Sequence, residues 1–274
     1  VPGVRLDRLL ANLGHGSRSE VRVLLRRGRC SVVGRVVRDP ALHVADADLE
    51  SVLVDGEPLD RPRGICVAVH KPEGMVCSHD PAEGMRAYDL LPERWMARDP
   101  RPEGIGRLDR MTSGLWIVTD DHQLVHRLAS PRHHVPKRYR ATLDAPLDAA
   151  SAMRLADGSL VLDGEDTPCR PAQVVPWSGP VPRSGPVPRS GPVPSDGPVP
   201  SDGPVPSDGP VPSDGPVVVI TVEEGRYHQV RRMFAAVGRT VLALHREAFG
   251  SLVLDDLGLA PGEWTDVDPA RLER

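Results

Sequence analysis

Beginning at Gly179, the chain repeats Gly-Pro-Val-Pro and two polar residues every six positions, with further starts at Gly185, Gly191, Gly197, Gly203 and Gly209. Thirteen of the thirty prolines fall between 179 and 216. So dense a run of proline strips the backbone of donors and fixes φ, which rules out a helix or a central strand there. Glycine at every sixth position, not every third, excludes a collagen helix. The segment is expected to be an extended, solvated, polyproline-rich loop. It separates Val174–Trp177 from Val217–Ile220, which read as the two arms of a hairpin. Lengthening an existing loop costs only about 0.6 kcal/mol per doubling, so the hairpin tolerates the insert. The regularity reads as an expansion without function of its own; a spacer or a docking site for a proline-binding partner is the alternative, and deleting 179–216 separates the two.

The formal net charge is −4, but it is unevenly placed. Residues 1–40 hold nine arginines against Asp7, Glu20 and Asp39, a local +6 that leaves −10 for the remainder. Residues 122–143 carry Arg127, Arg132, Lys137, Arg138 and Arg140 and no acid. Two basic zones in an acidic chain fit a localised phosphate-contacting surface. Leu6, Leu9, Leu10 and Leu13 recur at helical spacing before Gly14. Ser17-Arg18-Ser19-Glu20 is a capping box that opens a second helix running to about Arg27 and stopping at Gly28. Arg18, Arg22 and Arg26 share one face of it, while Val21, Leu24 and Leu25 form the core side. Short strands follow at 30–33, 35–37 and 51–54. Pro58 to Gly64 reads as a linker, and Ile65, Val67 and Val69 alternate as a half-buried strand broken by Pro72. A helix is expected from Asp121 to Leu128, strands at 139–143 and 217–222, and a helix over 229–237 ended by Gly238. Strands and helices without regular β-α alternation give an α+β class.

The segment Gly106-Arg107-Leu108-Asp109-Arg110-Met111-Thr112-Ser113-Gly114-Leu115 sets one carboxylate between two arginines ahead of an apolar run. In an extended segment Arg107 and Asp109 project the same way. An adjacent guanidinium lowers a carboxyl pKa and keeps it ionised, ready to act as nucleophile or base. A surface ion pair at a strand end is the bland reading of Arg-x-Asp alone.

GRLDRMTSGL resembles the catalytic motif of pseudouridine synthases, and the resemblance extends over nearly the whole chain. His70–Ser78 (HKPEGMVCS) is similar to the first motif of that group, Lys137-Arg138-Tyr139 to its tyrosine motif, and GRYHQVRRMF at 225–234 to its arginine-bearing motif. Residues 4–60 resemble the S4 RNA-binding domain through VRLDRLLANLG and SRSEVRVLLRRGRCSVVGRVV. The resemblance implies two domains, the S4-like one at 4–60 and a catalytic one at 61–274 interrupted at 179–216, with a mixed, mostly antiparallel, curved sheet and the active cleft across its middle. It also implies that the arginine face grips RNA backbone, contacts that position a protein without reading sequence. Two departures are His70 where the group usually has Asn, and His122 where it has Gly.

By the same resemblance Asp109 is the catalytic residue, attacking C1′ or removing the C2′ proton. Both routes need it ionised, a task assigned to Arg107 and Arg231. Tyr139 is the platform for the everted uracil, since stacking returns about 1–3 kcal/mol per base against a flipping cost of a few kcal/mol. Tyr227 and His228 are read as supports for Arg231, with one of Arg231 and Arg232 facing the cleft and the other RNA or solvent. RNA contacts are expected from Arg5, Arg18, Arg22, Arg26, Lys71, Arg132 and Lys137. The isomerisation needs no cofactor, and neither cysteine nor histidine spacing suggests a metal. Cys30, Cys66, Cys77 and Cys169 are too scattered for a disulfide frame and suit a reducing cytoplasm. No membrane span or signal pattern is present, and the chain is expected to act as a monomer. SPRHHVPKRY, LHREAFG and LAPGEW resemble the branch (the RsuA family) acting on one uridine of small-subunit (16S) ribosomal RNA, in a pre-ribosomal particle. A large-subunit (23S) enzyme and a silent RNA-binding assembly factor are the alternatives. A two-carboxylate glycosidase fails for want of a second acid beside Asp109.

Overall fold

A computed structural model describes residues 3–130, 133–179 and 215–272. Arg132 and nearly all of the Gly-Pro-Val-Pro insert lie outside the described residues. The chain divides into two compact units. The first comprises residues 1–137, 223–226 and 246–274, and the second 138–222 and 227–245.

The first unit opens with β1 (Val4–Arg5), α1 (Leu6–Asn12) and α2 (Arg18–Arg26). The capping box forms as the spacing dictates: the Ser17 amide donates to Glu20 Oε2 at 2.7 Å and the Glu20 amide to Ser17 Oγ at 3.4 Å. Then come β2 (Cys30–Val32), β3 (Arg35–Val36), β4 (His43–Val44), β5 (Leu53–Val54) and β6 (Glu57–Pro58). β1 pairs with β4, and β3-β2-β5-β6 make a small antiparallel sheet. Val33-Gly34 and Asp55-Gly56 both carry positive φ at the tips of its hairpins, the conformation two-residue hairpin turns require. Leu6, Leu9, Leu10, Val21, Leu24, Leu25, Val52 and Leu59 close one core beneath these elements.

Further along lie β7 (Cys66–Lys71), β8 (Glu103–Gly104), β9 (Thr112–Thr119), α3 (His122–Ala129), β10 (Lys137–Leu143), α4 (Ala149–Ala156), β11 (Gln173–Pro176), β12 (Val217–Val222), α5 (Gln229–Ala236), β13 (Val241–Phe249), β14 (Leu252–Val253) and β15 (Trp264–Asp266). In the first unit the strand order is β13-β9-β7-β15, with β8 against β9 and β14 against β13. In the second it is β11-β12-β10-β13; residues 241–245 of β13 belong to this unit and 246–249 to the first. The sheet is mixed and mostly antiparallel; β7–β9, β15–β7 and β11–β12 are antiparallel pairs.

Two expectations are revised. β7 is not half-buried, because Val67, Ala68 and Val69 are all closed off from solvent. Ala68 packs on one face into the cluster of Leu115, Ile117 and Phe249, and Val67 and Val69 on the opposite face are sealed as well, so the alternation visible in the sequence carries no information about exposure. The strands expected at 30–33, 35–37 and 51–54 are shorter: Val33 serves the turn with Gly34, β3 stops at Val36, and Ser51 closes a 3-10 turn over Asp46–Ser51, so that β5 starts only at Leu53. The expected helix over 121–128 forms with Asp121 as N-cap, accepting from the Gln123 and Leu124 amides. α5 ends ahead of Gly238, whose φ is +71°. The hairpin across the insert forms in the register Val174↔Ile220, Val175↔Val219 and Pro176↔Val218. Among the described residues no helix is long and apolar enough to cross a membrane.

Candidate active site and nucleic-acid interface

Asp109 lies in the loop between β8 and β9, and its carbonyl accepts the Thr112 amide at 3.0 Å in the turn that starts β9. That turn is held from below by Lys71, the last residue of β7 and 0% exposed. Lys71 Nζ donates to the carbonyls of Thr112 at 2.8 Å, Pro72 at 3.0 Å and Arg110 at 3.4 Å. β7 and β9 pair with Lys71 opposite Gly114, so the ammonium is placed under the loop by strand register. The Gly74 amide adds a bond to the Arg110 carbonyl at 2.8 Å, and Arg110 Nε returns one to the Gly74 carbonyl at 3.3 Å. The first and second motif segments are thus laced together around Asp109. Burial, aided by the positive charge of Arg246, pulls the Lys71 pKa down to about 8, while Cys77, Glu73 and Asp109 pull the other way. Cys77 is buried, takes a bond from the Leu108 backbone, and has its thiol pKa raised by desolvation.

Two of the expected roles change. Lys71 cannot contact RNA from this buried position, and its donors serve main-chain carbonyls. Arg107 is exposed and, among the described residues, forms no ion pair with Asp109. The period-two argument that placed them together fails because residues 107–109 are irregular loop and not strand.

Arg246, within the segment LHREAFG, was not among the expected site residues. It is 2% exposed, and its Nε donates to the Leu115 carbonyl at 2.6 Å. Its guanidinium sits 5.6 Å from the Phe249 ring centroid. Nη2 is buried without a hydrogen-bond partner among the described residues, as is Thr112 Oγ1. Gly114, at φ +108°, packs on the Arg246 backbone so closely that an added Cβ would overlap it. Lys137 is half-buried with Nζ 5.6 Å from the same Phe249 ring. Burial and then Arg246 pull its pKa to about 8, against Glu223 and Glu224. It is therefore not the open surface cation the sequence suggested.

In the second unit, Tyr139 on β10 is half-buried and packs against the cluster of Ala141, Leu143, Ile220, Met233 and Phe234. Arg231 on α5 donates from Nη1 to the Val241 carbonyl at 2.8 Å. Arg232 does not turn out to RNA or solvent. It donates to Glu165 Oε1 at 3.0 Å, to the Tyr227 carbonyl at 3.1 Å and to the Asp163 carbonyl. Tyr227 is 68% exposed, so it does not act as a packed support for Arg231.

The arginines of the N-terminal segment separate into two kinds. Arg18 and Arg26 are exposed on α2 and, among the described residues, carry no ion pair. Arg5 donates from Nε and Nη2 to the two carboxylate oxygens of the buried Asp7 at 3.1 and 3.0 Å, and Arg22 reaches the same carboxylate at 3.7 Å. The Arg5 bond holds Asp7 below the usual carboxylate range.

Residues 65–236 match the family of RNA pseudouridylate synthases. The chain belongs to that family, and its activity is that of an isomerase. It is 32% identical over 98% of its length, and 97% of the relative's, to an uncharacterized RNA pseudouridine synthase of Bacillus subtilis (strain 168). It is 36% identical, over 95% of its own length and 93% of the relative's, to the ribosomal small subunit pseudouridine synthase A of Yersinia pestis. A solved pseudouridylate synthase structure aligns over 99% of both chains with a TM-score of 0.58 at 29% identity.

Proposed function

We propose that the protein converts a specific uridine of small-subunit (16S) ribosomal RNA to pseudouridine, with Asp109 as the catalytic residue. The observation that carries this is the lacing of the Asp109 turn by Lys71 and Gly74, which holds one carboxylate in a fixed position within a family whose reaction needs one. The name of the Yersinia pestis relative, similar over nearly the full length, supports the small-subunit target.

In this reading the target nucleoside leaves its stack, at a cost of a few kcal/mol, and the ionised Asp109 acts at C1′ or C2′. The C1′–N1 bond breaks, its electron pair leaves with the uracil, the ring turns, and C5 joins C1′; the C5 proton is then lost and N1 gains one, so the atoms of the product equal those of the substrate. No group is lost and no electrons are exchanged with a carrier, so the chemistry is complete without a cofactor. Tyr139 offers its open face to the uracil and Arg231 helps keep Asp109 charged. Residues 4–60 serve as the RNA-binding module of S4 type, with Arg18 and Arg26 as its free phosphate contacts.

Incubating the protein with separate 16S and 23S transcripts and mapping pseudouridine tests the target. A single new pseudouridine in 16S RNA is the expected result; modification of 23S RNA alone overturns the small-subunit assignment. The Asp109→Asn variant should show no turnover while binding RNA within a few-fold of the wild type. Substantial residual turnover would remove Asp109 from its role.

A further inference from the structure

Of the nine Trp, Tyr and Phe side chains in this chain, Tyr227 is the one that is exposed. An apolar ring left 68% open to water needs a physical reason when it is also held still. One face is occupied: the His228 ring stacks on it with centroids 3.9 Å apart and planes 17° from parallel. His228 reaches that place in the left-handed region, at φ +47° and ψ +33°, which is a sparsely populated backbone state for a residue with a Cβ. Such strain persists only where surrounding contacts hold it, and it gathers at functional positions.

The contacts that hold it are visible. Arg232 Nη1 donates to the Tyr227 carbonyl at 3.1 Å, and the Arg232 amide donates to the His228 carbonyl at 3.0 Å. The guanidinium is in turn fixed by Glu165 and the Asp163 carbonyl. Both carbonyls of the Tyr227-His228 pair are therefore anchored to one buttressed arginine. The result is a rigid aromatic plate with one face backed and the other open, in a segment that also bears Arg231 and Arg232.

We propose that Tyr227, backed by His228, is a stacking platform for one unpaired base of the RNA substrate. That base is a flanking nucleotide, distinct from the uridine that is isomerised. An aromatic face suits any base, because each base offers a π surface, and a pre-stacked ring loses little freedom on binding. In a chain of an RNA-modifying family, a flat π surface of this kind suits a base better than a protein partner's side chain. The inference rests on the RNA-modifying reading above.

The test couples a protein variant to an RNA variant. Dissociation constants are measured for full-length wild type, Tyr227→Ala and Tyr227→Phe on a 16S transcript fragment containing the target site. The same fragment is then made with single abasic nucleotides at successive flanking positions. Tyr227→Ala should weaken binding about 5- to 150-fold, the effect of losing one stacked base, and Tyr227→Phe should stay within twofold. An unchanged melting temperature shows that the fold survives. At one flanking position the abasic substitution should weaken the wild type to a similar degree and cost Tyr227→Ala nothing further. Equal affinity of wild type and Tyr227→Ala, or identical abasic losses in both at every position, overturns the platform. If pseudouridine forms normally without that coupling, the platform falls and the enzyme reading stands. If the coupling is found but no transcript is modified, the enzyme reading falls and the platform stands.

Discussion

Arg18 and Arg26 stand out from α2 and, among the described residues, carry no ion pair, whereas Lys71 and Arg246 are sealed from solvent and give their donors to main-chain carbonyls. The four side chains carry the same unit charge and contribute equally to a count of basic residues. On α2 the charge stays in water, where it is hydrated, screened and available to phosphate. In the β7–β9–β13 region the charge is desolvated, which is costly unless bonds to the cation compensate. Lys71 meets that requirement with three carbonyls, and Arg98 elsewhere in the unit meets it with Asp120 at 3.0 Å and the carbonyls of Asp60 and Arg61. Arg246 has the Leu115 carbonyl and an aromatic face, and one of its nitrogens is left over. The lesson is that a cation's partner, not its presence, decides whether it serves binding or architecture.

Gly114→Ala adds a Cβ at φ +108° against the Arg246 backbone, combining strain with overlap. It should destabilise the fold by more than about 3 kcal/mol, or prevent folding, as read by chemical denaturation. A variant with near-normal stability would show that β9 and β13 are not packed as described. Lys71→Met removes the buried ammonium and orphans three carbonyls at the Asp109 turn. A loss of about 2 kcal/mol and a melting temperature lower by several degrees are expected, with RNA affinity unchanged. Weakened RNA binding without loss of stability would return Lys71 to the surface population.

Buried Lys71 and half-buried Lys137 also give a pH signature. Their pKa values fall from 10.5 in the unfolded chain to about 8 in the folded one. Between those values the unfolded chain binds more protons, so their contribution to stability rises with pH from about 8 to about 10.5 and is lost as pH falls through 8. Denaturation midpoints across that range should show a smaller rise in Lys71→Met than in the wild type. An identical slope would mean that Lys71 titrates normally. Smallest in stability terms is the Arg18→Gln, Arg26→Gln pair, expected within about 0.5 kcal/mol of wild type. Its effect belongs to RNA: weaker binding, and a salt dependence flattened by about 0.7–0.9 per lost phosphate contact.

Much of the scaffold was legible in the chain because local rules operate there. The α2 capping box, the helix that starts after Asp121 and the Gly238 stop each depend on residues within a few positions of one another, and each forms as expected. The hairpin flanking the insert also forms, its two arms being legible as β-branched runs even though they lie far apart in the chain. The Asp109 motif was equally legible as a motif. Its surroundings were not. Reading Arg107 as the partner of Asp109 assumed strand alternation through a segment that is loop. β13 is hard to read from the chain because His245-Arg246-Glu247 places charge in the middle of an apolar run, which looks like a solvent-facing stretch. Arg246 and Glu247 are in fact buried, a state that depends on which strands lie beside β13. α4 is equally faint in the sequence although Asp148 caps it, because Ala149–Ala156 buries only Leu155 and leaves a weak apolar stripe.

The sequence alone determined the family, the order of the motifs, the carboxylate at 109 and the proline repeat's exclusion of regular structure, since these rest on residue identity and short-range geometry. Tertiary structure decided which cations are desolvated, that Lys71 and not Arg107 braces the Asp109 turn, and that Tyr227 faces water. Burial and hydrogen bonding between residues distant in sequence exist only once the strands have paired, and no local pattern encodes them.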